Sequence, residues 1–214
     1  MARSLKAARA ELAASDPVMA ELIERLGERS PARRRRGQPK PDAYGALLRT
    51  IVGQQLSSKA ARTIYERVLD LFGGKTPTPK QILAASESDL RGAGLSGRKV
   101  EYIRDLATHV QSEELELDRL EQLSDEEVIE EIVAVRGLGR WSAEMFLLFH
   151  LERPDIIAGG DLGIRKAIQL SYGMDEMPTP DQVEEIGERW SPNRSLASIY
   201  LWESLAEDVT VGGV

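Results

Sequence analysis

Helix-start signals recur along this chain at intervals of one helix and a short link, and no alternating apolar and polar stretch of useful length interrupts them. Asp16-Pro17 opens a segment with Val18, Leu22 and Leu26 on one stripe, and Asp42 opens another that carries Leu47, Leu48, Ile51 and Val52. Lys59 to Phe72 follows and stops at Gly73-Gly74. Thr78-Pro79, Ser86, Ser96, Ser124, Thr179-Pro180 and Ser191-Pro192 each precede a further apolar-periodic segment. A short polar side chain at an N-cap accepts a backbone N–H that would otherwise have no partner, and a proline at the first helical position gives up none. Apolar residues spaced near 3.6 then bury one face of each helix. The expected fold class is therefore all-α, about ten or eleven helices with short links.

Composition excludes several chemistries. The chain has 214 residues, enough for a substantial core in one domain or two small ones. It has no cysteine, which removes disulfides, thiolate metal sites, thiol nucleophiles and an iron–sulfur cluster. Two histidines, His109 and His150, stand far apart with no HExxH-like spacing, so no metal site is expected. The longest apolar run, Met145 to Phe149, is too short to span a bilayer. Basic residues but no apolar core precede Glu11, so no secretion signal is expected and the location should be cytoplasmic. Gly92-Ala93-Gly94-Leu95-Ser96-Gly97 matches a dinucleotide fingerprint, but a capped helical turn precedes it where a buried strand is required. Those glycines read as a bend before a helix starting near Ser96.

Net charge is −7, yet residues 113–131 hold ten acidic side chains and one arginine, so the rest of the chain carries +2. A local basic face is thus compatible with an acidic total. Arg98 and Lys99, in the first turn of the helix after Ser96, oppose its dipole and are expected to serve a partner. The run Arg33-Arg34-Arg35-Arg36, beside Pro31, Gly37, Pro39 and Pro41, reads as a loop.

Val135-Arg136-Gly137-Leu138-Gly139-Arg140-Trp141 joins two helices. The first is signalled by a capping box, Ser124 with Glu127, and by Val128, Ile129, Ile132 and Val133; the second by Ala143, Phe146 and Leu147. On the residues alone the glycine turn is either a tight corner or a set of outward N–H groups that suit a phosphate. Asp161, before a helix at Leu162, is a cap on the same terms.

The ordered blocks Ile51-Val52-Gly53-Gln54-Gln55-Leu56-Ser57, Gly94-Leu95-Ser96, the hairpin, Asp161 and Trp190-Ser191-Pro192-Asn193-Arg194-Ser195 together resemble the helix-hairpin-helix DNA glycosylases, the HhH-GPD superfamily, and within it the alkylpurine branch, 3-methyladenine type II. The resemblance runs from about Tyr44 to Trp202. It implies two helical subdomains with a DNA-binding cleft between them: a central one over 44–154 with the hairpin, and one formed by residues 155–214 together with the helices of 1–43. The loop from Ser30 to Pro41 is the one boundary visible in the sequence itself. The N-terminus is expected to be too short for the extra β domain that some relatives carry.

The resemblance also assigns roles. Asp161 is implied as the catalytic carboxylate, which would stabilise positive charge on the deoxyribose while the N-glycosidic bond breaks. Trp141 stands where strand-nicking relatives carry a Schiff-base lysine, which implies simple hydrolysis, and its indole suits a cationic alkylated purine. Tyr44, Met145 and Asn193 are expected to line the substrate pocket with Trp141. Asn193 replaces an aromatic ring common in relatives; Tyr200 and Trp202 are further wall residues or core. Gln55 and Leu56 are implied to intercalate where a nucleotide flips out. Gly137, Gly139, Arg140, Ser96, Arg98 and Lys99 are expected on the DNA backbone; no cofactor is expected, and whether a monovalent cation sits in the hairpin turn, as it does in the family, is left open. The implied function is a monofunctional glycosylase for alkylated purines in duplex DNA, acting as a monomer and without a membrane. A non-catalytic helix-hairpin-helix DNA-binding protein, or a glycosylase for deaminated or oxidised bases, are the alternatives.

Overall fold

The computed structural model of the protein describes residues 4–29 and 42–211. The arginine run and the Ser30–Pro41 boundary loop lie outside these. The described residues are helical without a strand: α1 Leu5–Ser15, α2 Pro17–Leu26, α3 Ala43–Gly53, α4 Ser58–Asp70, α5 Pro79–Ala84, α6 Glu87–Gly92, α7 Gly97–Gln111, α8 Asp125–Val133, α9 Arg140–Phe149, α10 Leu162–Ser171, α11 Pro180–Gly187 and α12 Arg194–Val211. Two 3-10 helices, Leu117–Gln122 and Glu188–Trp190, complete them. The all-α class is as expected. The number of helices is higher because α1 carries only Ala8 and Leu12 on its buried stripe, too few for a periodic signal, and depends on five alanines and a Ser4 cap that accepts from Ala7 N–H.

Caps behave as the sequence indicates at Asp16, Asp42, Thr78, Ser86, Ser96, Ser124 and Thr179. Ser191-Pro192 does not open a helix: the helix begins at Arg194, and the Ser191 hydroxyl donates to Asp155 Oδ2 at 2.8 Å instead of accepting from a helical N–H. Asn193 occupies the junction, its carbonyl accepting from Leu196 and Ala197 N–H.

The chain forms two compact units, Met1–Gly37 with Leu147–Val214, and Gln38–Phe146. The second division falls at Phe146, inside α9, rather than at Pro154, and a continuous helix offers no loop residues by which sequence would reveal it.

In the middle unit α3 buries Tyr44, Leu47, Leu48, Ile51 and Val52 and packs on α4 and α7, while α5 and α6 also pack on α7. α7 is thus the central strut of this unit, with Val100, Ile103, Leu106 and Ala107 buried. In the other unit α12 packs on α2 and α10, and its Leu196, Ala197, Ile199, Tyr200 and Leu201 are buried on consecutive turns. One buried carboxylate ties that unit together. Asp16 accepts from Val18 N–H at 2.8 Å, from Trp190 Nε1–H at 2.9 Å and from the Tyr172 hydroxyl. Burial alone would raise the Asp16 pKa, but these hydrogen bonds outweigh it and hold the carboxyl below the usual carboxylate range.

Candidate functional site

The hairpin is built from α8, a turn and α9. Ser124 and Glu127 form the reciprocal capping box that opens α8. After Val133 the chain turns, with Leu138 N–H donating to Val135 O at 3.1 Å and Gly137 at φ +89°, a region that favours glycine. A Cβ on Gly137 would also lie 2.2 Å from the ring of Tyr102, so the turn is closed to any side chain there. Gly139 is different: nothing stands within 4 Å of an added Cβ. Ala143 N–H is bonded to Gly139 O at 3.1 Å, so amides earlier in the first turn of α9 precede the helical ladder. Trp141, in that turn, is 44% exposed, and Met145, one turn later on the same face, is half-buried.

A second surface turn lies between α3 and α4. Gln55 has φ +57°, uncommon for a non-glycine residue, and both Gln55 and Leu56 are exposed. Ser57 caps α4 by accepting from Ala60 N–H. Gln54 Nε2–H donates to Gly137 O at 2.7 Å, joining this turn to the hairpin.

Asp161 sits at the N-cap of α10, half-buried. Its Oδ1 accepts from Ile164 N–H and from Trp202 Nε1–H, each at 2.9 Å. The Trp202 indole in turn stacks on Phe149, with centroids 5.7 Å apart. A Cβ on Gly163 would meet Asp161 Oδ1 at 3.0 Å and Trp202 Cδ1 at 3.1 Å, so glycine allows their approach. Trp202, read from the sequence as a wall or core residue, is thus a direct partner of Asp161 across 41 positions of chain. Nothing in its local sequence signals that pairing.

Several expected site residues are placed otherwise. Lys99, expected on a phosphate, directs its ammonium onto the carbonyls of Val52 at 2.7 Å and Gln54 at 2.8 Å, where burial lowers its pKa. Arg140 is held by Glu126 at 2.9 and 3.2 Å and by Glu144 at 3.1 Å, so two carboxylates already balance its charge. Tyr44 is only 6% exposed, on the buried face of α3; its hydroxyl has no hydrogen-bond partner among the described residues, and burial followed by the Asp42 charge pushes its pKa up. Asn193 is 5% exposed and donates its amide to Glu11 Oε2 at 3.0 Å. Lys99 thus meets backbone carbonyls, Arg140 and Asn193 meet carboxylates, and Tyr44 lies in the apolar core. Ser96 caps α7, accepting from Lys99 N–H at 3.3 Å, and Arg98 beside it is exposed.

Among the described residues no group of three or more His, Asp or Glu is placed to hold a metal ion, and no helix is long and apolar enough to cross a membrane. The hairpin carbonyls of Val135, Gly137 and Gly139 accept from Leu138 N–H, Gln54 Nε2–H and Ala143 N–H. Chemically, the molecule offers a fixed carboxylate, an exposed indole, and a glycine turn at a helix start.

The HhH-GPD superfamily base excision DNA repair protein model matches residues 48–193. DNA-3-methyladenine glycosylase 1 of Schizosaccharomyces pombe is 32% identical over 203 residues, which is 94% of this chain and 88% of that protein. The structure of an S. pombe 3-methyladenine DNA glycosylase in complex with abasic DNA superposes with a TM-score of 0.82 at 32% identity, covering 92% of this chain and 95% of the other. A DNA-3-methyladenine glycosidase structure from Bacillus halodurans gives a TM-score of 0.80 at 36% identity, over 92% and 88% of the two chains.

Proposed function

The chain belongs to the HhH-GPD superfamily of base excision DNA repair proteins, and from that premise we propose that it hydrolyses the N-glycosidic bond of alkylated purines, of the 3-methyladenine and 7-methylguanine type, in duplex DNA. The observation that carries this reading is Asp161, an anion oriented by two N–H donors on one oxygen. As the C1′–N bond breaks, its electron pair neutralises the cationic base and positive charge develops on the sugar. A carboxylate nearby stabilises that charge and receives the proton released as water adds to C1′. An alkylated purine is already a good leaving group, so the pocket has less of the barrier to remove. Trp141 offers its ring face to the cationic base. Gln55 and Leu56 fill the gap left by the flipped nucleotide, and the Gly137–Gly139 turn with Arg98 and Ser96 anchors phosphates.

Trp141 has no amine to form a Schiff base, so the products are an abasic site and a free base without strand cleavage. A monovalent cation at the hairpin belongs to the same reading and would be held by backbone carbonyls of the turn from Val135 to Gly139, each of which has two lone pairs. It would supply positive charge beside a phosphate. Acting on genomic DNA, the protein would work in the compartment that holds it, the cytoplasm, and at the nucleoid if the cell is bacterial.

Asp161→Asn tests the assignment, because it keeps size and some capping ability while removing the anion. Base release from 3-methyladenine DNA is expected to be abolished, with binding to abasic-site DNA nearly intact; a variant that keeps most of the rate overturns the catalytic role. Borohydride is expected to trap no covalent enzyme–DNA adduct, with strand breaks only after alkali, and a robust adduct would assign the chemistry to a lysine.

A further inference from the structure

One stripe of α7 touches both surface turns of the middle unit. Lys99, Tyr102 and Asp105 recur at intervals of three and so share a face. Lys99 holds the carbonyls of Val52 and Gln54 at the end of α3. The Tyr102 ring lies directly beneath Gly137. Asp105 Oδ2 accepts from Arg136 N–H at 2.7 Å. Gln54 closes the circuit through its 2.7 Å bond to Gly137 O, so the turn bearing Gln55 and Leu56 and the hairpin bearing Gly137 and Gly139 are braced to one helix and to each other.

The residue types indicate positioning rather than burial. A half-buried ammonium gives up part of its hydration, and the two carbonyls that Lys99 meets at the C-terminal end of α3 offset that loss. The bonds it makes fix the backbone immediately before Gln55, whose φ of +57° needs outside support. Gln54 spends its side-chain amide on a neighbouring turn rather than on solvent.

We propose that Lys99 and Gln54 are positioning residues that hold the intercalating turn in register with the phosphate-anchoring hairpin, so that phosphates bound at the hairpin determine where Gln55 and Leu56 enter the duplex. The inference rests on the DNA-glycosylase reading above. Without the brace the hairpin still binds phosphates but the intercalating turn drifts, and displacement of the base suffers while general affinity does not.

The test uses Gln54→Ala, Lys99→Met and the double variant of the full chain, each first compared with wild type for its unfolding midpoint. A duplex with 2-aminopurine beside a tetrahydrofuran abasic analogue reports intercalation by its fluorescence rise, anisotropy with undamaged duplex reports anchoring, and single-turnover release of 3-methyladenine reports excision. Each single variant is expected to lower the fluorescence rise and the release rate by about tenfold, the effect of removing a hydrogen bond or two, with undamaged-duplex binding unchanged within about twofold. The double variant should lose less than the product of the singles, since both act through one turn. A full fluorescence rise in both folded single variants, or undamaged-duplex affinity falling in parallel with it, overturns the proposal. Gln54, half-buried on the surface turn, keeps the test decisive if Lys99→Met fails to fold. If wild type releases no base, the glycosylase reading fails, while the fluorescence and anisotropy arms still decide whether the brace controls intercalation.

Discussion

Asp161 is oriented by a residue that contributes only one hydrogen. The Trp202 indole N–H reaches Oδ1 at 2.9 Å while its ring is pinned against Phe149, and Gly163 leaves the space for both. Trp202→Phe keeps an aromatic ring for the stack and deletes the donor. A hydrogen bond to a charged group is worth about 1.5–3 kcal/mol, so single-turnover excision is expected to fall by roughly tenfold to a hundredfold. Binding to abasic-site DNA should hold, and the unfolding midpoint should move little. An unchanged excision rate would show that the Trp202 N–H does not orient Asp161. The capping role of Asp161 was legible from its place before a helix; its indole partner was not, because the two meet only through the packing of α10 on α12.

At the scale of the element, the hairpin has two glycines with different jobs. Gly137 is required by its backbone angle and by the ring of Tyr102 beneath it, so any substitution there disturbs the fold before it reports on DNA. Gly139 has open space around it, so Gly139→Val is expected to fold. That variant should weaken binding to damaged and undamaged duplex by similar factors, about tenfold to a hundredfold for each hydrogen bond to phosphate that it removes, with lesion preference in the residual activity unchanged. Fluorescence anisotropy on both duplexes checks it; normal binding to undamaged DNA would make the hairpin a corner only and move the anchor toward Arg98. The same scale explains Lys99. Its place in the first turn of α7 against the dipole was legible as a sign of a partner, and that partner is the C-terminal end of α3.

For the molecule as a whole, pH provides the readout. Asp16 and Asp155 both have folded pKa values held below the ordinary range: burial pushes each up, and hydrogen bonds from Tyr172 and Trp190 on the first, and from Arg194 and Ser191 on the second, more than reverse it. A carboxyl whose pKa is lowered by folding contributes stability that is present above its unfolded pKa and disappears as pH falls through the folded value. Both groups lie in the unit that carries Asp161. Urea unfolding followed from neutral pH into the acid range is therefore expected to show stability falling once the ordinary carboxylate range is passed. Asp16→Asn should flatten part of that fall and lower stability at neutral pH by about 1–3 kcal/mol for each buried donor left unmatched. A variant with the wild-type acid profile would separate Asp16 from the pH response.

Sequence alone determined what depends on neighbours within a turn or two. The all-α class follows from caps and apolar period, the α8 capping box from Ser124 and Glu127 three residues apart, and the hairpin from two glycines between apolar-periodic segments. Asp161 was legible as a cap for the same reason. Tertiary structure decided where long side chains and distant polar groups are spent, because a hydrogen bond depends on distance in space and not along the chain. Lys99 turned from an expected phosphate to Val52 and Gln54, Arg140 to Glu126 and Glu144, and Asn193 to Glu11 across 182 positions. Tyr44 entered the core because it lies on the face of α3 that must leave water.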